Sequence, residues 1–308
     1  MSTPRVILIA GPTASGKSGL ALALAERLGG VVINADSMQV YRELRLLTAR
    51  PSPEEEARAP HALYGFVPGG EAYSAGRYAD DAARAIAEAR AAGRVPIVVG
   101  GTGLYFKVLL EGLSPVPAAD PAVRARWRAE AASRPARELH AILAARDPEM
   151  ATRLMPTDPQ RIVRALEVLD STGRSLADWQ RQAGRPVLQE SETRRLLVLP
   201  DRAAHGAAID ARFDAMMAAG ALDEVRALAA TGLSGELPIM RALGVAALTA
   251  HLDGRLSIED AVAAAKVETR QYAKRQGTWL RRNMIAWKHL STQDLQSHRV
   301  DTLSFIEP

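Results

Sequence analysis

The sequence predicts an α/β fold: a parallel sheet with covering helices, plus an all-helical insertion domain. Three observations carry this. Short β-branched runs, VILIA at 6–10, VVIN at 31–34 and VPIVV at 95–99, are separated by alanine-rich helical stretches, the alternation expected when helices cover a parallel sheet. The three prolines of LSPVPAADP, 113–121, break that pattern, and from there to about residue 190 the chain is rich in Ala, Arg and Glu with helical periodicity and no convincing strand. RRLLVLP at 194–200 then restores a strand. The expected organisation is therefore a core of 1–114 and 193–308, interrupted by a helical insertion of 115–192.

The first strand runs into GPTASGKSG, 11–19. Gly11, Gly16, Lys17 and Ser18 match the spacing G-x-x-x-x-G-K-[ST], directly after a strand and before the helical stretch GLALALAERLGG. Glycines let the backbone approach an anion, successive N–H groups point inward, and the helix start adds a positive dipole end. Gly11, Pro12, Thr13, Ala14, Ser15, Gly16, Lys17 and Ser18 are thus the candidate diphosphate cradle. Lys17 supplies a point charge, and the Ser18 hydroxyl is placed to ligate a Mg2+ that bridges two phosphate oxygens. The loop itself does not say what hangs from the diphosphate.

The second strand leads into NADSMQVY and the third into GGTGLY. Ligands of such sheets bind beyond the carboxyl ends of the strands, so Asp36, Thr102 and the phosphate loop should converge on one crevice. Asp36 suits a general base or an outer partner of a metal, and it equally suits a helix N-cap, as does Ser37. The third strand ends in Gly100, Gly101 and Thr102 where a nucleotide hydrolase normally places a carboxylate, and no Asn-Lys-x-Asp run is present. Hydrolysis is poorly supported.

In DPQRIVRALEV, 158–168, Asp158 caps a helix and Pro159 takes its first position, which puts Arg161 in the first turn and Arg164 soon after. Cations there oppose the helix dipole, a hint of an anionic partner, although a solvated charged face reads as well from this stretch alone. Ser257 caps the last helix with Asp260 three residues on. Along that helix Lys266, Arg270 and Lys274 recur every four residues, extended by Arg281 and Arg282, so one face is cationic. Tyr272 and Trp279 are interleaved with it and could stack on bases, though aromatics at helical spacing are more often core.

Composition limits the alternatives. The 308 residues contain no cysteine and a net charge of +4, which removes disulfides, thiolate zinc sites and thiol nucleophiles and permits nucleic acid as a partner. The six histidines are scattered without metal-ligand spacing, so no zinc is expected. No stretch is apolar enough for a membrane span or a secretory leader, so a cytoplasmic location is expected. Nothing marks a dimer surface, and a monomer is the expectation.

Taken together, GPTASGKS, DSMQVY, GGTGLY, DPQRIVRALEV and TRQYAKRQGTWLR, in this order over nearly the whole chain, closely resemble the bacterial tRNA dimethylallyltransferases, which attach an isoprenoid group to an adenine next to the anticodon. The resemblance implies a nucleotide-kinase-like phosphate-loop core with a helical tRNA-binding insertion, dimethylallyl diphosphate in the loop, and the anticodon stem-loop as partner. It implies that Asp36 takes the proton from adenine N6, while Lys17, the loop amides, Mg2+ on Ser18 and the Thr102 hydroxyl meet the charge on the departing diphosphate. Asp36, Ser37, Met38 and Gln39, with Thr102, resemble the family's base-contacting residues, Gln39 reading the adenine edge. Arg124 and Gln160, Arg161, Ile162, Val163 and Arg164 resemble tRNA-touching positions, joined by Arg241, Lys266, Arg270 and Lys274. Arg212 is assigned to the diphosphate. The chain departs from the family pattern at LTARP, where Leu47 replaces a glycine and Arg50 a lysine, and after Gly244, where Val245 and Ala246 replace a tyrosine and a basic residue. A small-molecule or nucleoside kinase with the same loop is the nearest alternative. A nucleotide-driven switch lacks the specificity and hydrolysis residues, and a prenyltransferase of free adenine nucleotides would not need the insertion.

Overall fold

The protein is described here by a computed structural model that covers residues 6–291, apart from the side chain of Arg202. The chain runs β1 Val6–Ala10, α1 Lys17–Leu28, β2 Gly30–Asn34, α2 Pro53–Arg58, β3 His61–Ala62, α3 Ala75–Ala91, β4 Val95–Gly100 and α4 Gly103–Glu111. Five helices follow: α5 Pro121–Ser133, α6 Ala136–Arg146, α7 Pro148–Arg153, α8 Pro159–Thr172 and α9 Leu176–Gln180. The chain then returns as β5 Thr193–Leu199, α10 Arg202–Ala218, α11 Ala221–Ala230, α12 Val245–Leu252, α13 Ile258–Asn283 and β6 Lys288–Ser291.

The strands form one sheet in the order β3-β2-β4-β1-β5-β6, every neighbouring pair parallel. All of β1 is buried, which is why it reads as an unbroken apolar run: a central parallel strand is covered on both faces. Edge strands β3 and β6 are absent from the sequence reading. The first has two residues and the second reads Lys-His-Leu-Ser, so neither carries the β-branched signal of a central strand. The order also creates the site. Beyond β1 the chain crosses to one side of the sheet, towards β2, and beyond β4 it crosses to the other, towards β5. Adjacent strands whose connections diverge leave a crevice at their carboxyl ends.

The chain divides into two compact units, Met1–Leu110 with Leu188–Pro308, and Glu111–Val187. Both junctions fall slightly earlier than the proline cluster suggests: the Pro-rich stretch belongs to the helical unit, and the turn before β5 belongs to the core. In the first unit the sheet packs on α1 through Ile7, Ile9, Leu22, Leu24, Ile97 and Val99. A second cluster joins the segment after β2 to α10–α13, with Tyr41, Leu44, Leu47, Phe213, Val225 and Leu248 among its members. In the helical unit the described elements are all helices, closed over Trp127, Leu139, Leu143, Ile162 and Leu166. Asp158 caps α8 by accepting from the Arg161 N–H at 3.1 Å, and Gly173, at φ 67°, ends it. Ser257 caps α13 by accepting from the Asp260 N–H at 3.0 Å.

Candidate active site

The phosphate loop starts from a strand end held on both sides by its neighbours. The Gly11 amide donates to Gly100 O at 3.2 Å, and a Cβ on Gly11 would lie 2.6 Å from Ser15 Oγ and 2.7 Å from Val198 O, so glycine is required by the close approach of β5. Gly16, at φ 83°, turns the loop into α1 in a conformation that side chains resist. Three residues far along the chain hold Thr13: Gln276 Oε1 accepts its N–H at 2.9 Å, His205 Nε2 meets its carbonyl at 2.7 Å, and Arg212 donates to its hydroxyl. These contacts tie the loop to α10 and α13, and a loop held by protein groups carries a smaller ordering cost on binding than a free one.

Lys17 Nζ donates to Pro12 O at 3.2 Å. Burial pushes its pKa down to about 8; the Asp36 charge opposes that shift and the Arg212 charge adds to it. Burial likewise lowers Arg212, again opposed by Asp36. Two cations and one carboxylate therefore share the head of the loop, where an incoming diphosphate would relieve the repulsion between the cations. The adjoining cleft, about 390 Å³, runs from the loop past Gln39, Arg50, His61, Tyr64 and Arg212.

Asp36 follows β2 and is held as a turn residue. Its N–H donates to Asn34 Oδ1 at 2.8 Å, and its Oδ1 accepts the Met38 N–H at 2.9 Å. Fully buried Asn34 returns the favour, its amide donating to Asp36 O at 2.9 Å and to Leu63 O at 3.1 Å. No α-helix begins at Asp36, so the N-cap reading gives way to a fixed carboxylate at a strand end. Thr102 joins this loop to β4: its Oγ1 accepts the Ser37 N–H at 3.0 Å and its N–H donates to Ala35 O at 3.2 Å. That hydroxyl in turn donates to Ser37 Oγ at 3.4 Å, a long bond that it can exchange for a bound oxygen. Burial first, and then the charge of Asp36, push the hydroxyls of Tyr64, Tyr105 and Tyr272 well above the ordinary tyrosine range, so these phenols are neutral. Among the described residues no cluster of three or more His, Cys, Asp or Glu could cage a metal. A Mg2+ here would need its oxygens from Ser18, from a neighbouring carboxylate and from a bound diphosphate, the donor set that ion commonly takes.

The chain matches the IPP transferase family over residues 39–283 and the isopentenyl transferase family over residues 4–60. It belongs to the IPP transferase family. A tRNA dimethylallyltransferase of Parvibaculum lavamentivorans is 53% identical over 100% of this chain and 98% of its own length. One from Methylobacterium nodulans is 57% identical over 94% of this chain and 96% of its own. Among solved structures, the full-length tRNA isopentenylpyrophosphate transferase of Bacillus halodurans superposes with a TM-score of 0.69 at 30% identity, over 98% of this chain and 97% of its own. A eukaryotic dimethylallyltransferase acting on tRNA gives a TM-score of 0.82 at 27% identity, over 98% of this chain and 77% of its own.

The other residues expected to act in this family member are placed unequally. In the helical unit Arg161 is exposed beside Asp158 at 3.2 Å, Gln160 is exposed, and Arg124 and Arg164 flank one buried carboxylate, Glu167, at 3.9 and 3.6 Å. Ile162 and Val163, expected against RNA, are buried in that unit's core instead: they fall on the apolar stripe of α8, whose opposite face carries the charges. In the other unit Lys266 pairs with Asp214 at 2.6 Å and Arg270 pairs with Asp210, so these two cations face α10, whereas Lys274 is exposed. Arg241 is exposed beside Glu236 at 3.6 Å. The amide of Gln39 donates to Thr48 O at 2.9 Å and Ala49 O at 2.8 Å; it holds the next loop rather than presenting a free donor to a base. The ring of Trp279 lies over Gly103, where a Cβ would come within 2.0 Å of it, so this aromatic is packing. The departures at Leu47 and Val245 lie in one buried cluster, and a Cβ on Gly244 would sit 3.4 Å from Leu47 Cδ1. A larger residue on one side of that cluster thus accompanies a smaller one on the other. Tyr105, Tyr272 and Gln276 lie within the motifs GGTGLY and TRQYAKRQGTWLR, but only Tyr272 carries an expected role there; His205 and Tyr64 belong to no spacing motif.

Proposed function

We propose that the chain transfers the dimethylallyl group of dimethylallyl diphosphate to N6 of the adenine 3′ to the anticodon in tRNA, position 37, with release of diphosphate. The observation that carries this is one fixed carboxylate, Asp36, whose charge acts on Lys17, the half-buried cation of a phosphate loop, while β4 ends at Gly100 and is followed by Gly101 and Thr102 instead of a water-activating acid. The names of the full-length relatives point to the same reaction.

The chemistry follows from the groups present. The N6 lone pair is delocalised into the ring, so the amine is a weak nucleophile that gains from a base taking its proton as the bond forms. N6 bonds to C1 of the donor, the C1–O bond breaks, the N6 proton passes to Asp36, and the electron pair leaves with the diphosphate. Lys17, Arg212, the loop amides and the Thr102 hydroxyl receive that charge. Mg2+ held by Ser18 and the diphosphate oxygens would supply further charge neutralisation on the leaving group. The buried ring of Tyr105 and the half-buried rings of Tyr64 and Tyr272 limit the water around an allylic carbon that water would otherwise capture. A stacked adenine cannot bring N6 to Asp36, so the base would be turned out of the anticodon loop, with Ser37 and Met38 beside it. Arg124, Gln160, Arg161, Arg241 and Lys274 are exposed and Arg164 is half-buried; all are suited to the RNA backbone. No helix among the described residues is long and apolar enough to cross a membrane, and we expect the enzyme to act as a cytoplasmic monomer.

The test is incubation with Mg2+, radiolabelled dimethylallyl diphosphate and unmodified tRNA, beside a tube with labelled ATP and no prenyl donor. Label entering tRNA at the adenine 3′ to the anticodon is the expected result. Phosphate leaving ATP with no prenyl transfer would make the protein a kinase, with Asp36 as base for a hydroxyl.

A further inference from the structure

Thr13 lies within the phosphate loop yet turns its amide away from the anion site. That N–H goes to Gln276 Oε1 at 2.9 Å, and Nε2 of the same side chain donates to Gly101 O at 3.0 Å. Gln276 lies on α13, 7% exposed. Both partners are backbone groups of fixed polarity, an N–H that only donates and a carbonyl that only accepts, so the neighbours dictate which way the amide faces. The fit leaves no slack: a Cβ on Gly101 would stand 2.3 Å from Gln276 Nε2.

We propose that Gln276 is a positioning residue that sets the separation between the leaving-group loop and the loop carrying the base. The proposal rests on the transfer reaction above. One planar amide ties residue 13 to residue 101. The next residue, Thr102, accepts the Ser37 N–H at 3.0 Å and donates to Ala35 O at 3.2 Å. The held unit therefore runs from Thr13 through Gln276 and Gly101 to Thr102 and on to Asp36. His205 and Arg212 also grip Thr13, and among the described residues the hydrogen bonds found for them end there. Gly11 N–H to Gly100 O, at 3.2 Å, fixes the strand ends but not the loops beyond them. Gln276 is neutral, so its removal changes geometry and leaves the charge of the donor site intact, which separates its role from those of Lys17 and Arg212. An in-line displacement is sensitive to such geometry: a misplacement of about 1 Å costs on the order of 10²-fold in rate.

The experiment uses the full-length protein. Gln276→Met keeps the length of the side chain and removes both hydrogen bonds. Gly101→Ala disturbs the same contact from the opposite side, at a glycine whose φ lies outside the left-handed region, its Cβ also standing 3.3 Å from Gly11 O. Each is expected to lower kcat by about 10- to 100-fold while the KM for tRNA stays within about threefold, measured below the melting transition of each variant. Inorganic pyrophosphate, titrated by calorimetry, should bind each variant at least about threefold more weakly. Adding Gly101→Ala to Gln276→Ala, which leaves room for the new methyl, should cost no more than about twofold further, because coupled residues are not additive. A purely structural glutamine would lower Tm and leave kcat within twofold of wild type; that result, or full additivity in the double variant, overturns the proposal. If wild-type protein transfers no prenyl group, the reaction reading fails separately, and pyrophosphate affinity still decides the clamp: unchanged binding in Gln276→Met rejects it.

Discussion

Lys17→Met should make the free protein more stable and the enzyme inactive, with a pH signature that identifies the cause. Burial holds the Lys17 ammonium at a pKa of about 8 against 10.5 when exposed. At about 1.36 kcal/mol per pH unit, the charged side chain costs the folded state on the order of 3 kcal/mol. The sign follows from proton counting. Between pH 8 and 10.5 the unfolded chain binds more protons at this position than the folded one, so the cost is complete below pH 8, is about 1.4 kcal/mol at pH 9.5 and vanishes above 10.5. Methionine has similar length and carries no charge, so it escapes this cost. Near neutral pH the variant should melt about 5 °C above wild type, from about 2.1 cal/mol/K of unfolding entropy per residue, and this advantage should more than halve by pH 9.5. Calorimetry at both pH values, with and without millimolar pyrophosphate, is the assay. Pyrophosphate should raise the Tm of wild type and barely move the variant. A Lys17→Met protein that is less stable than wild type at pH 7, by a margin independent of pH, would refute the argument that burying the ammonium costs stability which a bound anion offsets.

Asp36→Asn should lower turnover by about two to four orders of magnitude, as for a lost general base, with tRNA affinity by filter binding unchanged; near-normal turnover would remove the base role. Lys274→Ala should flatten the salt dependence of tRNA binding by about one phosphate contact, while Lys266→Ala and Arg270→Ala, already paired with Asp214 and Asp210, should each change it by less than half as much. Equal effects would mean that the ion pairs open on binding. Arg124→Ala with Arg164→Ala should weaken tRNA binding and also destabilise the helical unit by about 1 kcal/mol, because the Glu167 carboxylate, 4% exposed, loses two partly exposed cations at 3.9 and 3.6 Å. Adding Glu167→Gln should restore the stability and not the affinity.

What could be read in the sequence is what depends on neighbours in the chain. The phosphate loop, the central strands and the caps at Asp158 and Ser257 each arise from a few consecutive residues, and each stands where its pattern puts it. What could not be read depends on the opposing surface. The spacing of Lys266, Arg270 and Lys274 gives a charged face but not what faces it; the complementary spacing of Asp210 and Asp214 lay in the sequence as the available clue. Ile162 and Val163 sit inside a charged motif, yet the turn of α8 sends them inward while Arg161 stays exposed. Gln276 is one of several neutral polar side chains in a basic helix, and its meaning comes from a partner 263 residues away.

That distance bears on how the site is assembled. β1 pairs with β4 on one side, Ala10 opposite Gly100, and with β5 on the other, Ala10 opposite Leu197, and the helical unit Glu111–Val187 lies in the chain between those two partners. An excursion of that kind is tolerated because closing a loop costs only about 0.6 kcal/mol more for each doubling of its length. Its consequence is that the phosphate motif, complete by residue 18, has one flank missing until β5 arrives, and Thr13 lacks His205, Arg212 and Gln276 until α10 and α13 are in place. A fragment ending at residue 110 would carry the whole consensus and should bind pyrophosphate no better than an unstructured peptide. During synthesis, the loop most easily recognised in the sequence is therefore among the last parts of the site to become functional.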